Sequence, residues 1–275
     1  MMRIRPLLMA LLIVLIFSVL PAAAADPALM MATTTSTDNT GLLDVLVPAF
    51  TQETGIEMKW TATGTGKALK LGENCDVDVL MVHAPAAEKK YVADGFGVNR
   101  REIMYNDFVI IGPQADPAGI RGKSVSAALT AIRDKGAVFA SRGDNSGTNK
   151  KEKILWKNAA LPLPEKEAWY VQTGQGMLAT INIAAERAGY TMTDRGTYIK
   201  YEANMKGQPP LNILVEGDAI LLNQYSVIAV NPERCKGVKH ELAMKFSDWV
   251  AGASAQKVIG DFRLMGKQLF TPNAK

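Results

Sequence analysis

The chain has 275 residues, 48% of them hydrophobic and 21% charged, with two His and two Cys. That length builds one large domain or two modest ones. Its formal net charge is +4, and Arg3 and Arg5 supply two of those charges from a leader that carries no acid. The remainder is too close to neutral to argue for a nucleic-acid partner or an anionic membrane.

Residues 1–25 read as a cleaved signal peptide. Arg3 and Arg5 form a basic start, Leu7 to Leu20 an apolar stretch, and Pro21 to Ala25 the small residues of a cleavage site. The apolar stretch is short for a spanning helix, and no second one follows. There is no Cys beside the cleavage site, and Ile4 separates the two arginines. A lipid anchor and a twin-arginine signal are therefore both unsupported. The expected address is the periplasm. Cys75 and Cys235 either pair there or stay as two thiols, and their spacing does not choose between these.

In the mature chain, Leu29 to Ala32 reads as a short buried strand ending in Thr33-Thr34-Thr35-Ser36. One helix is expected to follow, with Leu42, Leu43, Leu46, Val47 and Phe50 on its apolar face and Gly55 as its stop. Strand and helix then alternate. Strands are expected over 56–62, 77–82 and 107–111, with helices from Lys67 and over 86–93. The middle repeats the pattern with strands over 137–140 and 169–171 and helices over 146–156 and 177–188. A last strand over 226–230 precedes helices over 242–250 and 255–259. Such alternation predicts an α/β fold with parallel strands. Gly112-Pro113 and Asn231-Pro232 punctuate two strands that would cross between lobes. The expected division is 26–111 plus 226–275 as lobe 1 and 112–225 as an inserted lobe 2. Each lobe is then a central β-sheet flanked by helices, with two hinge strands between them and a ligand cleft where they face.

Four loops carry chemistry. A helix start exposes unpaired N–H groups and the positive end of the macrodipole, so four successive hydroxyls at one make a pocket for a small oxyanion. Simple capping accounts for one of those hydroxyls and leaves three. Thr63-Gly64-Thr65-Gly66-Lys67 also opens a helix, but Thr61 and Ala68 break the nucleotide P-loop pattern. It remains either a tight turn or a second anion contact. Ser141-Arg142-Gly143-Asp144-Asn145-Ser146-Gly147-Thr148 offers a guanidinium, three hydroxyls and a helix start. The planar fork of Arg suits a tetrahedral dianion, with Asp144 able to orient it. Gly174, Gly176 and Ala179 fit a dinucleotide fingerprint, yet they lie outside the first strand–helix unit, and Asp194 sits in a polar stretch. Catalysis and metal binding have little support. Ser146 is in no nucleophile elbow, and His83, His240 and the two Cys show no paired-ligand spacing.

Taken with Val82-His83-Ala84-Pro85, Asn106-Asp107-Phe108, Gly174-Gln175-Gly176-Met177 and Thr193-Asp194-Arg195-Gly196-Thr197, these loops resemble those of the periplasmic tungstate-binding proteins of ABC-type importers. The resemblance runs over nearly the whole mature chain. It implies the two-lobed type II solute-binding fold, capture of tungstate with molybdate as a weaker competitor, and delivery to a membrane permease. No cofactor, enzymatic activity or nucleic-acid partner is implied, and the receptor is expected to be a monomer. The implied oxyanion contacts are Thr34, Thr35, Ser36 and Thr65 on lobe 1, and Arg142, Ser146, Gly147 and Thr148 on lobe 2. Asp144 and Asp194 stand behind them. Cys75 departs from the small or charged residue expected in its loop. Two alternatives stay open, a phosphate or sulfate receptor of the same fold and an exported serine hydrolase using Ser146. Asp144 separates the first of these. Phosphate carries a proton that needs an acceptor in the site, whereas tungstate does not, so a cleft-facing Asp144 favours phosphate and an Asp144 that braces Arg142 favours tungstate.

Overall fold

The structure is a computed structural model that describes residues 28–275, so the leader expected over 1–25 lies outside the described residues. The first half of the fold opens with β1 (Leu29–Thr34), α1 (Thr35–Asp38), α2 (Leu43–Thr54), β2 (Met58–Thr63) and α3 (Thr65–Glu73). It continues through β3 (Val79–Val82) and α4 (Pro85–Ala93) into the long strand β4 (Gly97–Pro113). The second half runs α5 (Val125–Asp134), β5 (Phe139–Ser141), α6 (Gly147–Asn158), β6 (Tyr170–Gln172), α7 (Met177–Glu186), β7 (Tyr190–Asp194), α8 (Arg195–Asn204) and β8 (Leu211–Val215). The chain returns through β9 (Leu222–Val230) to α9 (His240–Ala251), α10 (Ala253–Asp261) and three two-residue strands. Among the described residues no helix is long and apolar enough to cross a membrane.

The helix expected after β1 is two helices. Thr34 caps α1 by accepting from the Thr37 N–H at 3.2 Å. Thr40 then donates to the Thr37 carbonyl at 2.7 Å and accepts from Leu42 N–H, and Gly41 takes a φ of +82°. Local side-chain hydrogen bonds here offer the backbone an alternative to the helical ladder, and a glycine tolerates the left-handed turn that follows. The apolar face itself is as expected: Leu43, Leu46, Val47 and Phe50 are buried, and Gly55 ends α2 at a φ of +73°.

The strands run β2-β1-β3-β9-β4-β7-β5-β6, with β8 also paired to β4. The expected parallel sheet is mixed. β1 is parallel to β2 and β3, and β5 to β6 and β7, but β9 runs antiparallel to β3 and β4, and β4 antiparallel to β7. Strands buried on both faces read alike in either direction, so an apolar run does not reveal its orientation. The β1–β3 and β5–β7 units share one topology. Each places its first strand in the middle, its second outside and its third inside, with a helix after each of the first two. That repeat is invisible in the residues themselves.

β4 changes partners along its length. Residues up to Asp107 pair with β9, and from Phe108 the strand pairs with β7 and β8. Phe108 to Ile111 accordingly pack in the two cores of the second half. Arg195 ties both crossings together. It donates to Asp107 through Nε and Nη2, each at 2.6 Å, and to Glu216 at 2.8 Å. These partners push its pKa far up. Strand β7 has no continuous apolar signature because Thr191 and Thr193 are buried there, with the Thr191 hydroxyl donating to the Ala140 carbonyl at 2.7 Å. A hydroxyl satisfied by a neighbouring carbonyl costs little to bury.

Cys75 and Cys235 form a disulfide, with Cα atoms 5.4 Å apart and a sequence separation of 160. It clips the end of α3 to the loop after β9. Cys75 takes a φ of +67°, and neither cysteine is free.

Candidate functional site

The two halves face each other across a cleft of about 1040 Å³. Its walls include Thr34, Thr35, Ser36 and Thr65 from the first half, and Arg142, Ser146, Gly147 and Thr148 from the second. The eight residues expected to touch the ligand therefore converge on one space. Asp194 lines it as well, and Asp144 does not.

The topology explains why. In α/β sheets the carboxyl ends of the parallel strands deliver loops to one edge. The β1 to α1 and β2 to α3 connections meet their equivalents, β5 to α6 and β6 to α7, across the cleft. Four helix starts thus point inward, each with N–H groups that lack intrahelical partners. Thr34 caps α1 and Ser146 caps α6, accepting from Asn149 N–H at 3.3 Å. Gly64 before α3 and Gly176 before α7 bring no capping side chain. The α7 start lines the cleft too, in a loop that the sequence offers as a dinucleotide motif and as part of the family resemblance but not as a ligand contact.

Side chains sort by exposure. Thr35 is exposed and Ser36 half-buried, whereas Thr34 is only 3% exposed. Thr34 is thus a framework hydroxyl that borders the cleft more than it opens into it. His83, passed over as structural, joins it at the base. Its Nε2 lies 2.8 Å from Thr34 Oγ1 and 3.0 Å from Ser36 Oγ, and Nδ1 lies 3.0 Å from Asn223 Oδ1. Loss of water around the ring lowers its pKa, against smaller upward pulls from Asn223 and Asp194, which keeps it neutral at pH 7. No spacing rule would have joined residues 34, 83 and 223.

On the other wall, Gly143 has a φ of +62°, and a Cβ there would meet Gln172 Cβ at 2.9 Å, so the turn requires glycine. It folds Arg142 onto Asp144, Nη2 to Oδ2 at 2.6 Å, while Oδ1 of Asp144 accepts from Ser146 N–H. Burial pulls the Asp144 pKa up, but the bonds from Ser146 and the charge of Arg142 outweigh it and leave the group lowered. Asp144 is an ionised brace. Nε of Arg142 is buried and has no partner among the described residues, which leaves a charged donor unspent in a side chain that lines the cleft. Behind the loop, buried Glu152 accepts from Ser141 and Tyr170 at 2.6 Å each and from Trp156. That network anchors the strand end from which Arg142 projects.

Among the described residues Asp194 is the one acid on the cleft wall, and both its oxygens accept from Thr197 as the cap of α8. Lys67, Lys150, Lys151 and Lys200 join Arg142 around it. The lining is rich in donors, net positive, and its carboxylate is already engaged. Among the described residues no cluster of His, Cys, Asp and Glu could hold a metal ion.

A two-lobed α/β fold with such a cleft defines a solute-binding protein, and the chain belongs to the PBP superfamily, whose domain model matches residues 21–254. It is similar to the tungstate-binding protein TupA of Desulfovibrio alaskensis G20. That structure is 71% identical, with a TM-score of 0.88, and the match covers 90% of this chain and 100% of the other. Among curated proteins it is 53% identical to the tungstate-binding protein TupA of Campylobacter jejuni, over 87% of this chain and 89% of the relative. TupA of Peptoclostridium acidaminophilum is 44% identical, over 91% and 87% of the two chains.

Proposed function

We propose that this chain is a tungstate receptor that captures the dianion between its lobes, with molybdate as a weaker ligand, and hands it to the permease of an ABC importer. The observation that carries the reading is Asp144 bound to Arg142 rather than turned into the cleft. Tungstate at neutral pH presents four acceptor oxygens and no proton. A lining of N–H groups, hydroxyls and one guanidinium matches it, whereas phosphate needs a free acceptor. We assign ligand contact to the backbone N–H groups and hydroxyls of Thr35 and Ser36, to Thr65, to Arg142, and to Ser146, Gly147 and Thr148. Thr34, Asp144 and Asp194 hold these in place.

The lobes divide where β4 changes partners, between Asp107 and Phe108, and again between β8 and β9. Closure about these crossings follows when an anion held by one lobe recruits donors from the other. Export by the cleaved leader, a periplasmic address and action as a monomer complete the reading. Binding, rather than catalysis, is supported by the Ser146 oxygen, which caps α6, and by His83, whose hydrogen bonds go to Thr34, Ser36 and Asn223 instead.

Thermal shift against tungstate, molybdate, sulfate, phosphate and chromate tests this. Tungstate is expected to raise the unfolding midpoint most, molybdate less, and phosphate not at all. A larger shift with phosphate or sulfate would replace the ligand, and a nucleophile-directed probe labelling Ser146 would favour a hydrolase. The five basic side chains on the wall also predict steering. Raising ionic strength from 0.01 M to 0.15 M shortens the Debye length from about 30 Å to about 8 Å and is expected to slow tungstate association severalfold in stopped flow. A salt-independent rate would show that these charges do not act on the incoming ion.

A further inference from the structure

The loop that carries Arg142 has to keep some N–H groups for an anion and satisfy the others itself. A backbone N–H can only donate, so its acceptor fixes where it points. Asp144 Oδ1 takes the Ser146 N–H at 3.1 Å, and Ser146 Oγ takes the Asn149 N–H at 3.3 Å. Asn149 Oδ1 takes the Asn145 N–H at 3.2 Å. Gly147 and Thr148, the first two residues of α6, have N–H groups that no helical carbonyl accepts. Both residues line the cleft, and Gly147 faces the first half closely: a Cβ there would stand 4.0 Å from His83 Cε1.

Asn149 is central to this sorting, although it is 1% exposed and does not line the cleft. Side chains in a helix lean back towards its N-terminus, so a residue in the first turn covers the segment before it. Ser146-Gly147-Thr148-Asn149 works as a capping box shifted by one residue. An ordinary box returns the fourth side chain to the N–H of the cap. Here Asp144 already holds that group, and Asn149 reaches one residue further. The residue it reaches, Asn145, has a φ of +58°, a left-handed turn that is costly without glycine. Because the amide oxygen of Asn149 meets an N–H, its nitrogen is the end turned to Ser141, donating to Oγ at 3.2 Å. The Ser141 hydroxyl in turn donates to Glu152 at 2.6 Å. One buried side chain thus spans the loop from the end of β5 to the residue before the α6 cap.

We propose that Asn149 is a positioning residue of the anion site. By holding the Asn145 N–H it keeps the loop in the turn that leaves the Gly147 and Thr148 N–H groups open to the bound oxyanion. The inference rests on the tungstate-receptor reading. Donors fixed before the ligand arrives lose no freedom on binding, and without Asn149 that ordering falls to the ligand.

Amide hydrogen exchange followed by 15N NMR reads each donor separately. In the native chain without ligand, the Asn145 and Ser146 amides are expected to be protected and those of Gly147 and Thr148 to exchange freely. Tungstate is expected to protect Gly147 and Thr148. Asn149→Ala is expected to open the Asn145 amide to exchange while β5 and the rest of α6 exchange as before. Its tungstate affinity is expected to fall by about fivefold or more in calorimetry, the loss of roughly one neutral hydrogen bond. An Asn145 amide that exchanges freely in the native chain and slows only with tungstate would overturn the proposal, because that N–H would then belong to the ligand. This outcome is decisive even where the variant does not fold. A variant that binds like the parent, or whose amides loosen throughout the second half of the fold, would overturn it as well. A native chain that ignored tungstate would instead overturn the receptor reading, while the ligand-free Asn145 amide still shows whether Asn149 sets the loop.

Discussion

Replacing Arg142 with Ala is expected to weaken tungstate binding by at least about tenfold, read by calorimetry. Among the described residues Arg142 is the one arginine on the cleft wall, and its Nε has no partner. A hydrogen bond to a charged group contributes roughly 1.5–3 kcal/mol, which is about one to two orders of magnitude in affinity. The substitution also leaves Asp144 without its guanidinium, so a carboxylate held ionised by Arg142 and Ser146 would then face an approaching dianion with its charge uncompensated. Arg142→Lys is expected to fall between Ala and the native chain, because an ammonium keeps the charge and loses the paired geometry of the fork. If the Ala variant bound tungstate like the parent, the guanidinium would have no part in holding the ion.

The double substitution Cys75→Ser, Cys235→Ser is expected to lower stability by about 2–5 kcal/mol, measured as a shift in the urea midpoint. The disulfide closes a loop that contains the entire second half of the fold. Its removal releases that whole stretch in the unfolded chain and frees α3 from the loop after β9. Tungstate affinity is expected to stay close to native, because neither cysteine lines the cleft. Reductant added to the native chain should reproduce the shift. A midpoint that did not respond to either treatment would mean the bridge contributes nothing to stability.

How much of this could be read from residues alone varies by element. The site was legible where chemistry is local. The hydroxyl run at 33–36, the glycine turn at 63–67 and the arginine loop at 141–148 each sit between a strand and a helix start, and each reaches the cleft. The role of Asp144 could be posed from sequence, but only geometry answered it, since the brace depends on the left-handed turn at Gly143. Most strands were legible and their direction was not, because β3, the end of β4 from Phe108 to Ile111 and the end of β9 from Val227 to Val230 are continuous buried apolar runs. Strand β7 was hidden by buried threonines that satisfy themselves on backbone carbonyls. The pairing of Cys75 with Cys235 and the cluster around His83 join residues far apart in the chain, and no local pattern encodes such contacts.

The placement of β9 between β3 and β4 has a consequence for the order of assembly. Everything from Phe108 to Val215 is one uninterrupted stretch, so the second half of the fold has all its strands once that stretch has been made. The first half must wait. Until Leu222 and its successors arrive, β3 exposes a bare edge and Cys235 cannot reach its mate. A polypeptide of this design keeps its first sheet unfinished until its last long strand is in place, and an oxidised bridge marks a chain in which that strand has paired.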